Sequence, residues 1–276
     1  MATHVTSNKD YVLGRTVAEH ERLRRQGRLI SGITRHFLER IGLKSGMRIL
    51  DVGSGVGDVA LLAARAVGPS GEVVCVDTDG AALAVAEQRA TDEHLSNLRF
   101  HLCDLSQHQT AVKYDAVVGR CVLLHHADPL TALRAALHYV RSGGTIAFQE
   151  PCFSLAFSRP RAPLFQEMLG WVHGTLRASG FDGDIGARLP SLFVSAALPR
   201  PSLVFEMLVD SGAEVELYEL CADTVRSLLP RIEELGISTA ETIQVATLAD
   251  RLRQESSSLE AVIGIMPLIG AWATKS

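Results

Sequence analysis

The sequence predicts an α/β fold in which a doubly wound, mostly parallel sheet is covered by helices. Short apolar runs alternate with helical stretches between residues 48 and 150, and these runs are apolar on both faces. A glycine-rich turn follows the first run directly, as expected where a strand passes into a helix. The apolar runs are RILDVG, EVVCVD, LRFHLCD, YDAVVGR and GTIAFQE, and the helical stretches include VALLAARAV, AALAVAEQRA and PLTALRAALHYV.

Three segments are predicted along the chain. Residues 1–45 form an N-terminal helical segment, in which apolar residues recur at helical spacing from 16 to 41 with a break near Gly32. Residues 46–150 and 211–276 form the core that contains the sheet. Residues 151–210 are rich in proline and in helix-like patches, so they are expected to form a helical cap inserted after the fifth strand, placed as a substrate lid.

The alternation of strands and helices resumes after the predicted cap. The run EVELYEL opens this part, and a helix follows through VRSLLPRIEELG. A further helix is expected to begin at the capping box Ser238-x-x-Glu241. The last apolar run, AVIGIMPLIGAWA, is predicted to be the strand that completes a sheet of seven strands.

The composition indicates a folded protein that acts on a small molecule. Of the 276 residues, 47% are hydrophobic and 21% are charged, which excludes intrinsically disordered and fibrous proteins. A formal net charge of -4 offers no basic field to a phosphate backbone, so a small-molecule acceptor is expected rather than a nucleic acid. No apolar window approaches the roughly 18 residues that span a bilayer, so no membrane association is expected. The composition is compatible with both a monomer and a homo-oligomer.

The cysteines predict neither a disulfide framework nor a zinc site. They are odd in number, widely spread and never paired as C-x-x-C. The first residues, MATHVTSNKDYVLG, lack the cationic start and apolar stretch of a secretory signal. A cytoplasmic protein is therefore expected. The cysteines are Cys75, Cys103, Cys121, Cys152 and Cys221.

The glycine-rich run ILDVGSGVGDVALLAA, residues 49–64, predicts a nucleoside cofactor. The turn at Gly53, Gly55 and Gly57 lets a ligand approach the backbone, and the following helix offers unpaired N–H groups. The second strand ends in Asp77, twenty residues beyond Gly57, where an acidic side chain would bind ribose hydroxyls.

Two carboxylates favour one cofactor over another. A dinucleotide fingerprint would place glycine where this chain has Asp58. Asp51 at the end of the first strand would repel a pyrophosphate, but it could orient the ammonium of an amino-acid moiety, directly or through water. S-adenosylmethionine carries such a moiety, so it is favoured over NAD, and an NAD-dependent oxidoreductase stays as the weaker alternative.

Five runs resemble, in order and spacing, the successive motifs of class I S-adenosylmethionine-dependent methyltransferases, which have a Rossmann-like fold. They are DVGSGVGD, VVCVDTD, HLCDL, YDAVVGRCVLLHHADP and SGGTIAFQEP. The resemblance covers roughly residues 12 to 150 and the final strand. The N-terminal pattern YVLGRTVAEHERLRRQ and the segments TVRSLLPRIEELGI and TLADRLRQE resemble bacterial small-molecule methyltransferases, many of which tailor natural products.

The resemblance implies roles for individual residues toward S-adenosylmethionine, whose product is S-adenosylhomocysteine. Gln26, with Arg22 as an alternative, would bind the carboxylate, although a solvated polar face explains Gln26 nearly as well. The other expected contacts are Gly53, Ser54, Gly55 and Gly57 at the methionine and ribose; Asp77 with the adjacent Thr78 at the ribose hydroxyls; Cys103, Asp104 and Leu105 at the adenine; and Gly119, Arg120 and Cys121 beside the sulfonium.

The expected reaction is methyl transfer to an O, N or C nucleophile of a small, apolar or aromatic metabolite, driven mainly by proximity. His125 and His126 follow the fourth strand, where either would act as a base or merely pack against the cofactor. They lack the spacing and the third ligand of a metal site, so no metal is predicted. A protein that binds the cofactor without methylating, as a cyclase or a sensor, is the alternative with the same binding motifs.

Three elements of the chain are candidates for contact with the acceptor. Tyr11 would either fold over the cofactor and offer its hydroxyl or serve as an amphipathic anchor. His173 would face the acceptor from the cap or be a packing residue. The aromatic residues of the cap, including Phe165 and Trp171, would build the cap's own core, and some of them would line an apolar acceptor pocket.

Overall fold

A computed structural model gives the architecture of the chain and describes residues 16–213 and 216–276. Tyr11 lies outside the described residues. The helices are α1 (Val17–Leu29), α2 (Ser31–Arg40), α3 (Asp58–Val67), α4 (Gly80–Asp92), α5 (Pro129–Tyr139), α6 (Pro163–Ala178), α7 (Ile185–Ser195), α8 (Leu217–Glu234), α9 (Ala240–Ile243) and α10 (Leu248–Ser258). The strands are β1 (Arg48–Val52), β2 (Glu72–Asp77), β3 (Leu98–Leu102), β4 (Tyr114–Arg120), β5 (Val140–Pro151), β6 (Phe157–Arg159), β7 (Ser202–Ser211) and β8 (Val262–Thr274).

The eight strands of the described residues form one sheet, which confirms the predicted α/β class. Strands β3, β2, β1, β4 and β5 are parallel neighbours in that order, and β8 pairs antiparallel with β5. Both β6 and β7 pair with residues 262–264 of β8, so they lie on its opposite edges, β6 on the edge that β5 also occupies. The sheet has eight strands rather than the predicted seven, because the chain beside this edge of β8 is divided into β5, which ends at Pro151, and β6, which begins at Phe157.

The order of strands places a crevice at the end of β1. This strand has β2 on one side and β4 on the other, so the chain reverses its direction of winding there. Ligands of open α/β sheets bind in the crevice outside the carboxyl ends of the strands at such a switch point. The glycine turn, residues 53–57, leaves β1 at this position and leads directly into α3.

The N-terminal helices break at Ile30 rather than near Gly32, which lies inside α2. Ile30 ends α1 and precedes α2, and Thr16 caps α1 by accepting a hydrogen bond from the N–H of Glu19 at 3.1 Å. Apolar periodicity alone does not separate two helices joined by one residue, and the glycine was the only break visible in the sequence. Helix α1 contacts α3 and α8, and α2 contacts α3 and β7.

The segment 151–210 is not a single cap, which corrects the predicted boundaries. Helix α7 packs on the sheet, since Ile185, Leu189 and Phe193 belong to the same buried cluster as the strand residues Leu50 and Val117. Strands β6 and β7 extend the sheet. Only α6 departs from the sheet, and it shares a second buried core with α8, α10 and part of β8. The helical subdomain is therefore assembled from both sides of the predicted boundary.

Two predictions for the C-terminal part are wrong. Within the run EVELYEL, residues 217–220 form the first turn of α8 rather than a strand. The box residue Ser238 does not cap the next helix; the neighbouring Thr239 does, by accepting a hydrogen bond from the N–H of Thr242 at 3.2 Å. The last apolar run forms β8 as predicted. No helix in the described ranges is long and apolar enough to cross a membrane.

Candidate functional site

A cavity of about 510 Å³ opens at the carboxyl ends of the parallel strands. Small-ligand sites typically measure about 300–1,000 Å³. The strand-end half of the wall comprises Gly53, Ser54, Gly55, Asp58, Asp77, Thr78, Asp79, Cys103, Asp104, Leu105, Arg120 and Cys121. The apolar half comprises Pro151, Phe153, Val172, Leu176, Leu228 and Met266, and α1 contributes Arg22, Leu23 and Gln26.

The glycine turn brings the backbone to the cavity and packs tightly behind it. Gly53 has a φ of +62°, and a Cβ there would lie 2.9 Å from Cγ2 of Val122. Gly57 also has a positive φ, but it precedes α3 and faces away from the cavity, because a Cβ there would lie 2.9 Å from Cβ of Ala86. Gly53 and Gly55 therefore lie on the wall, whereas Gly57 supports the packing of α3 against α4.

Asp77 is fixed by the backbone of both neighbouring turns. Its Oδ2 accepts a hydrogen bond from the N–H of Gly55 at 2.7 Å, and its Oδ1 accepts one from the N–H of Asp79 at 2.8 Å. Burial raises the pKa of this carboxyl group, and the N–H groups of Asp79 and Gly55 act in the opposite direction. The carboxylate is thus held at the end of β2 with one edge against the glycine turn, beside Thr78 on the wall.

Asp51 lies behind the glycine turn and not on the wall. Its side chain is buried, and its Oδ2 has no hydrogen-bond partner within the part of the chain that the structure describes. Burial raises its pKa to about 8, although Arg120 acts to lower it. The group is therefore mostly protonated at pH 7 and does not line the cavity, which disfavours a direct contact with an ammonium group, and orientation of that group through water stays a prediction.

Asp58 links the glycine turn to three other elements. Its Oδ1 accepts a hydrogen bond from Arg89 of α4 at 2.8 Å, and its Oδ2 accepts one from Arg120 of β4 at 3.1 Å. Arg120 also donates to Oγ1 of Thr34 on α2 at 2.8 Å. A Cβ on Gly27 of α1 would lie 2.0 Å from Oδ2 of Asp58, so α1 crosses directly over this carboxylate. Sequence reasoning used Asp58 only to exclude a dinucleotide and missed this role.

Helix α1 presents a chain of polar side chains toward the cavity. Arg22 donates to both carboxylate oxygens of Glu19, at 2.8 and 2.7 Å, and to Oε1 of Gln26 at 2.8 Å. The hydroxyl of Ser227 on α8 donates to Glu19 at 2.8 Å. Gln26 is only 8% exposed, so it belongs to the cavity wall and not to a solvated polar face.

The loop after β3 forms the end of the strand-end half. Cys103, Asp104 and Leu105 all lie on the wall. Asp104 begins a short 3-10 helix and accepts hydrogen bonds from the N–H and the hydroxyl of Ser106, at 2.8 and 2.5 Å. Burial raises the pKa of Cys103, so its thiol is neutral at pH 7.

The two histidines after β4 lie on the wall, but they are poor bases. The pKa of His125 is lowered to about 4, mainly by burial and in part by the neighbouring His126 and Arg22. The pKa of His126 is also lowered by burial. The His125 ring packs edge-on against Phe181, with ring centres 5.6 Å apart. These features favour packing over proton transfer. The described residues contain no group of three His, Cys, Asp or Glu side chains that could hold a metal.

Three residues of α6 that were expected to contact the acceptor lie behind the cavity wall. Phe165 and Trp171 are buried in the core that α6 shares with α8 and α10. His173 stacks on Phe153 at 5.9 Å between ring centres and does not reach the cavity itself. The wall is formed instead by Val172 and Leu176, one turn apart on the same helix. Aromatic content does not reveal which helix face points to a cavity, so this choice could not be predicted from residue types alone.

Comparisons with known proteins agree with this geometry. Residues 43–174 match a family described as a methyltransferase domain. This match includes every residue of the strand-end half and ends inside α6. A ubiquinone/menaquinone biosynthesis C-methyltransferase of Cellvibrio japonicus is 29% identical over 135 residues, which cover 48% of this chain and 52% of the relative. The chain spans about half the length of the curated relatives that it matches.

Solved structures support the fold over a larger part of the chain. The YcgJ protein of Bacillus subtilis has a TM-score of 0.55 at 15% identity, covering 87% of this chain and 96% of its own. A coclaurine N-methyltransferase bound to N-methylheliamine and S-adenosylhomocysteine has a TM-score of 0.52 at 16% identity, covering 88% of this chain and 72% of its own. At these identities, the likeness extends to the fold and not to the acceptor.

Proposed function

Because this chain carries a class I S-adenosylmethionine-dependent methyltransferase domain, we propose that it methylates an O, N or C nucleophile of a small, apolar or aromatic metabolite. The observation that supports this proposal is one cavity with two unlike halves. The strand-end half offers backbone and carboxylate groups at the ends of β1 and β2, whereas the apolar half offers mainly hydrocarbon and thioether surface, with Thr224 of α8 nearby on the wall. A polar nucleoside and an apolar acceptor would meet inside it.

The residues of the strand-end half fit S-adenosylmethionine. A Cβ on Gly55 would meet nothing within 4 Å, so the backbone there is open to a ligand. The Asp77 carboxylate is already oriented by two N–H groups, and ionised carboxylates are strong acceptors for paired hydroxyls. We assign the ribose to Asp77, the adenine to the loop of Cys103, Asp104 and Leu105, and the amino-acid part to Gln26, Arg120 and the glycine turn.

The chain's own residues would act mainly by positioning the acceptor and by excluding water, and less by acid or base chemistry. When bound, S-adenosylmethionine supplies a methyl group on an activated sulfonium. The walls from α1, α6 and α8 exclude water, and holding an acceptor in line can supply about 7–11 kcal/mol of a barrier. The weak basicity of His125 and His126 implies that the acceptor atom is nucleophilic without strong help from these side chains.

The apolar half supports an apolar acceptor. Phe153 and Met266 from the sheet edge face Val172, Leu176 and Leu228 from the helices, and none of these five side chains is charged. Tailoring of secondary metabolites fits this surface and the resemblance of the N-terminal pattern. The relatives named for ubiquinone and menaquinone biosynthesis match only about half of this chain, so they support the methyl donor more than the acceptor.

The proposal is tested by following the methyl group. The protein would be incubated with methyl-labelled S-adenosylmethionine and fractions of a metabolite extract that are separated by polarity. We expect S-adenosylhomocysteine and an organic-extractable labelled product in equal amounts, from the apolar fractions. Tight binding of S-adenosylmethionine without S-adenosylhomocysteine would instead support a non-methylating cyclase or sensor, and binding of NAD alone would support an oxidoreductase.

A further inference from the structure

Glu150 is a buried carboxylate whose chemistry the proposed function does not use. It is 0% exposed near the end of β5, and it has no ion-pair partner among the described residues. Its Oε1 accepts hydrogen bonds from the N–H groups of Val122 and Leu123, both at 2.9 Å, and its Oε2 accepts a longer one from Leu124 at 3.4 Å. Three consecutive backbone donors thus converge on one side chain.

These donors belong to the loop that closes one side of the cavity. Residues 121–126 all lie on the cavity wall, between the strand-end half and the apolar half. The loop begins with Cys121 at a φ of +56°, a conformation that non-glycine residues seldom adopt. The N–H of Cys121 donates to the carbonyl of Gln149 at 2.9 Å, so this turn is also bonded to β5 at the residue before Glu150.

We propose that Glu150 is a positioning residue, whose carboxylate holds the loop of residues 121–126 in the shape that binds the methyl donor. This inference rests on the proposed function for the identity of the donor. A carboxylate can accept all three hydrogen bonds, because it has only acceptor sites. A side-chain amide could still accept from Val122 and Leu123 through its oxygen, but its NH₂ group would face the N–H of Leu124, so that end of the loop would have to move.

The ionisation of Glu150 gives the loop a dependence on pH. Burial raises the pKa of Glu150 to about 7, against the opposing effect of the three N–H groups. Its charge raises the pKa of Cys121, and the loop that it holds also carries His125 and His126, whose pKa values are lowered by burial. Gly186 of α7 and Ile269 of β8 adjoin the backbone of Glu150, and neither residue titrates. The carboxylate form, which prevails above pH 7, is the one that satisfies the loop. Binding is therefore expected to be tighter at pH 8 than at pH 6.

Glu255 provides a matched control. Its carboxylate accepts hydrogen bonds from two consecutive N–H groups, those of Leu164 and Phe165, at 2.8 and 3.1 Å, at the start of α6. It does not lie on the cavity wall. Replacing it removes the same kind of contact without touching the loop, so it separates loss of position from loss of stability.

The test is calorimetric titration of S-adenosylhomocysteine into the full chain at pH 6 and pH 8. We expect Glu150→Gln to bind S-adenosylhomocysteine about tenfold more weakly at pH 8, and to show the same affinity at pH 6 and pH 8. Glu255→Gln should keep the wild-type affinity and the wild-type difference in affinity between the two pH values. Asp51 titrates in every variant, so the change in the profile isolates Glu150. Unchanged affinity and an unchanged profile in Glu150→Gln would overturn the inference.

A folding defect would not leave the question open. If Glu150→Gln does not fold, Glu150→Asp carries the test, because its shorter carboxylate is expected to keep the pH dependence while binding several-fold more weakly. Wild-type affinity in Glu150→Asp would contradict the positioning role. Failure of the wild-type chain to bind S-adenosylhomocysteine at all would contradict the proposed function instead, so the two failures are distinguishable.

Discussion

The two halves of the cavity are held in place by different parts of the fold. In the strand-end half, polar groups that face the cavity are fixed by hydrogen bonds, either to neighbouring backbone, as Asp77 is to Gly55 and Asp79, or to other side chains, as Arg120 is to Asp58. In the apolar half, side chains such as Val172 and Leu228 are fixed only by packing between α6, α8 and β8. One half depends on backbone geometry, and the other depends on side-chain shape.

This difference separates binding of the methyl donor from adjustable acceptor specificity within one site. Hydrogen bonds to fixed backbone groups tolerate few substitutions, because a lost partner leaves a buried polar group unsatisfied. Apolar packing tolerates exchanges of similar volume at a cost usually below about 1.5 kcal/mol. Substitutions in the strand-end half are therefore expected to affect the methyl donor, and substitutions in the apolar half are expected to affect the acceptor.

The largest expected effect is that of Asp77→Ala on the methyl donor. The variant removes a charged acceptor for two hydroxyls, so we expect affinity for S-adenosylhomocysteine to fall by about 2–3 kcal/mol, or roughly 30- to 150-fold. Isothermal titration calorimetry measures it. The control Asp250→Ala removes a carboxylate that is 80% exposed and should bind as the wild type does. Equal affinities for all three proteins would remove the ribose assignment.

A second effect is the pH dependence of stability that Asp51 confers behind the strand-end half. The pKa of Asp51 rises from 3.8 to about 8 on folding, so the native state holds a proton that the unfolded state releases, and stability falls as pH rises through this window. Glu150 acts in the same direction at lower pH. Between pH 6 and pH 8, Asp51→Asn should lose less stability than the wild type, by on the order of 2 kcal/mol. Urea unfolding measures the free energy of unfolding at each pH. An equal change between pH 6 and pH 8 in the wild type and in Asp51→Asn would contradict a buried Asp51 with a raised pKa.

A third comparison tests how closely α1 must approach the strand-end half. In Gly27→Ala, the new methyl group would collide with Asp58, so we expect α1 to shift and stability to fall by about 1–3 kcal/mol, with weaker donor binding. Gly32→Ala is the matched control, because a Cβ there meets nothing within 4 Å and alanine favours a helix by about 1 kcal/mol. Thermal unfolding should thus shift in opposite directions. A shift in the same direction for both variants would contradict the close approach.

The smallest expected effect concerns the acceptor. Phe153→Ala removes a ring from the apolar half, so the KM for the acceptor should rise about tenfold while affinity for S-adenosylhomocysteine stays the same. Leu155→Ala, two residues along and 46% exposed, should change neither value. Initial rates, measured with the extract fraction that yields the labelled product, give the KM for each variant. An equal loss of donor affinity in Phe153→Ala would mean that the two halves are not independent.

Local sequence signals predicted most of the strand-end half. The glycines after β1 and the acid at the end of β2 depend on the backbone geometry of one turn, which neighbouring residues specify. The strand order could be predicted for the same reason, since parallel strands joined by helices follow few topologies. The break at Ile30 was missed because two helices with one shared apolar stripe look continuous in periodicity.

The apolar half could not be predicted, because it depends on contacts between distant segments. Trp171 and Val172 are adjacent and both apolar, yet only the packing of α6 against α8 decides which one faces the cavity. The start of α8 within EVELYEL shows the same effect, since tertiary contacts of Leu217 and Tyr218 override an alternating pattern typical of a strand. Glu150 likewise becomes informative only when its three donors are seen together.

The most direct test of the divided cavity is a crystal structure of this chain with S-adenosylhomocysteine. The account predicts that both ribose hydroxyls lie within hydrogen-bonding distance of Asp77, and that the space bounded by Phe153, Leu176 and Met266 is left open beside the sulfur. A nucleoside bound in the apolar half, or one that fills both halves and leaves no room for an acceptor, would contradict it.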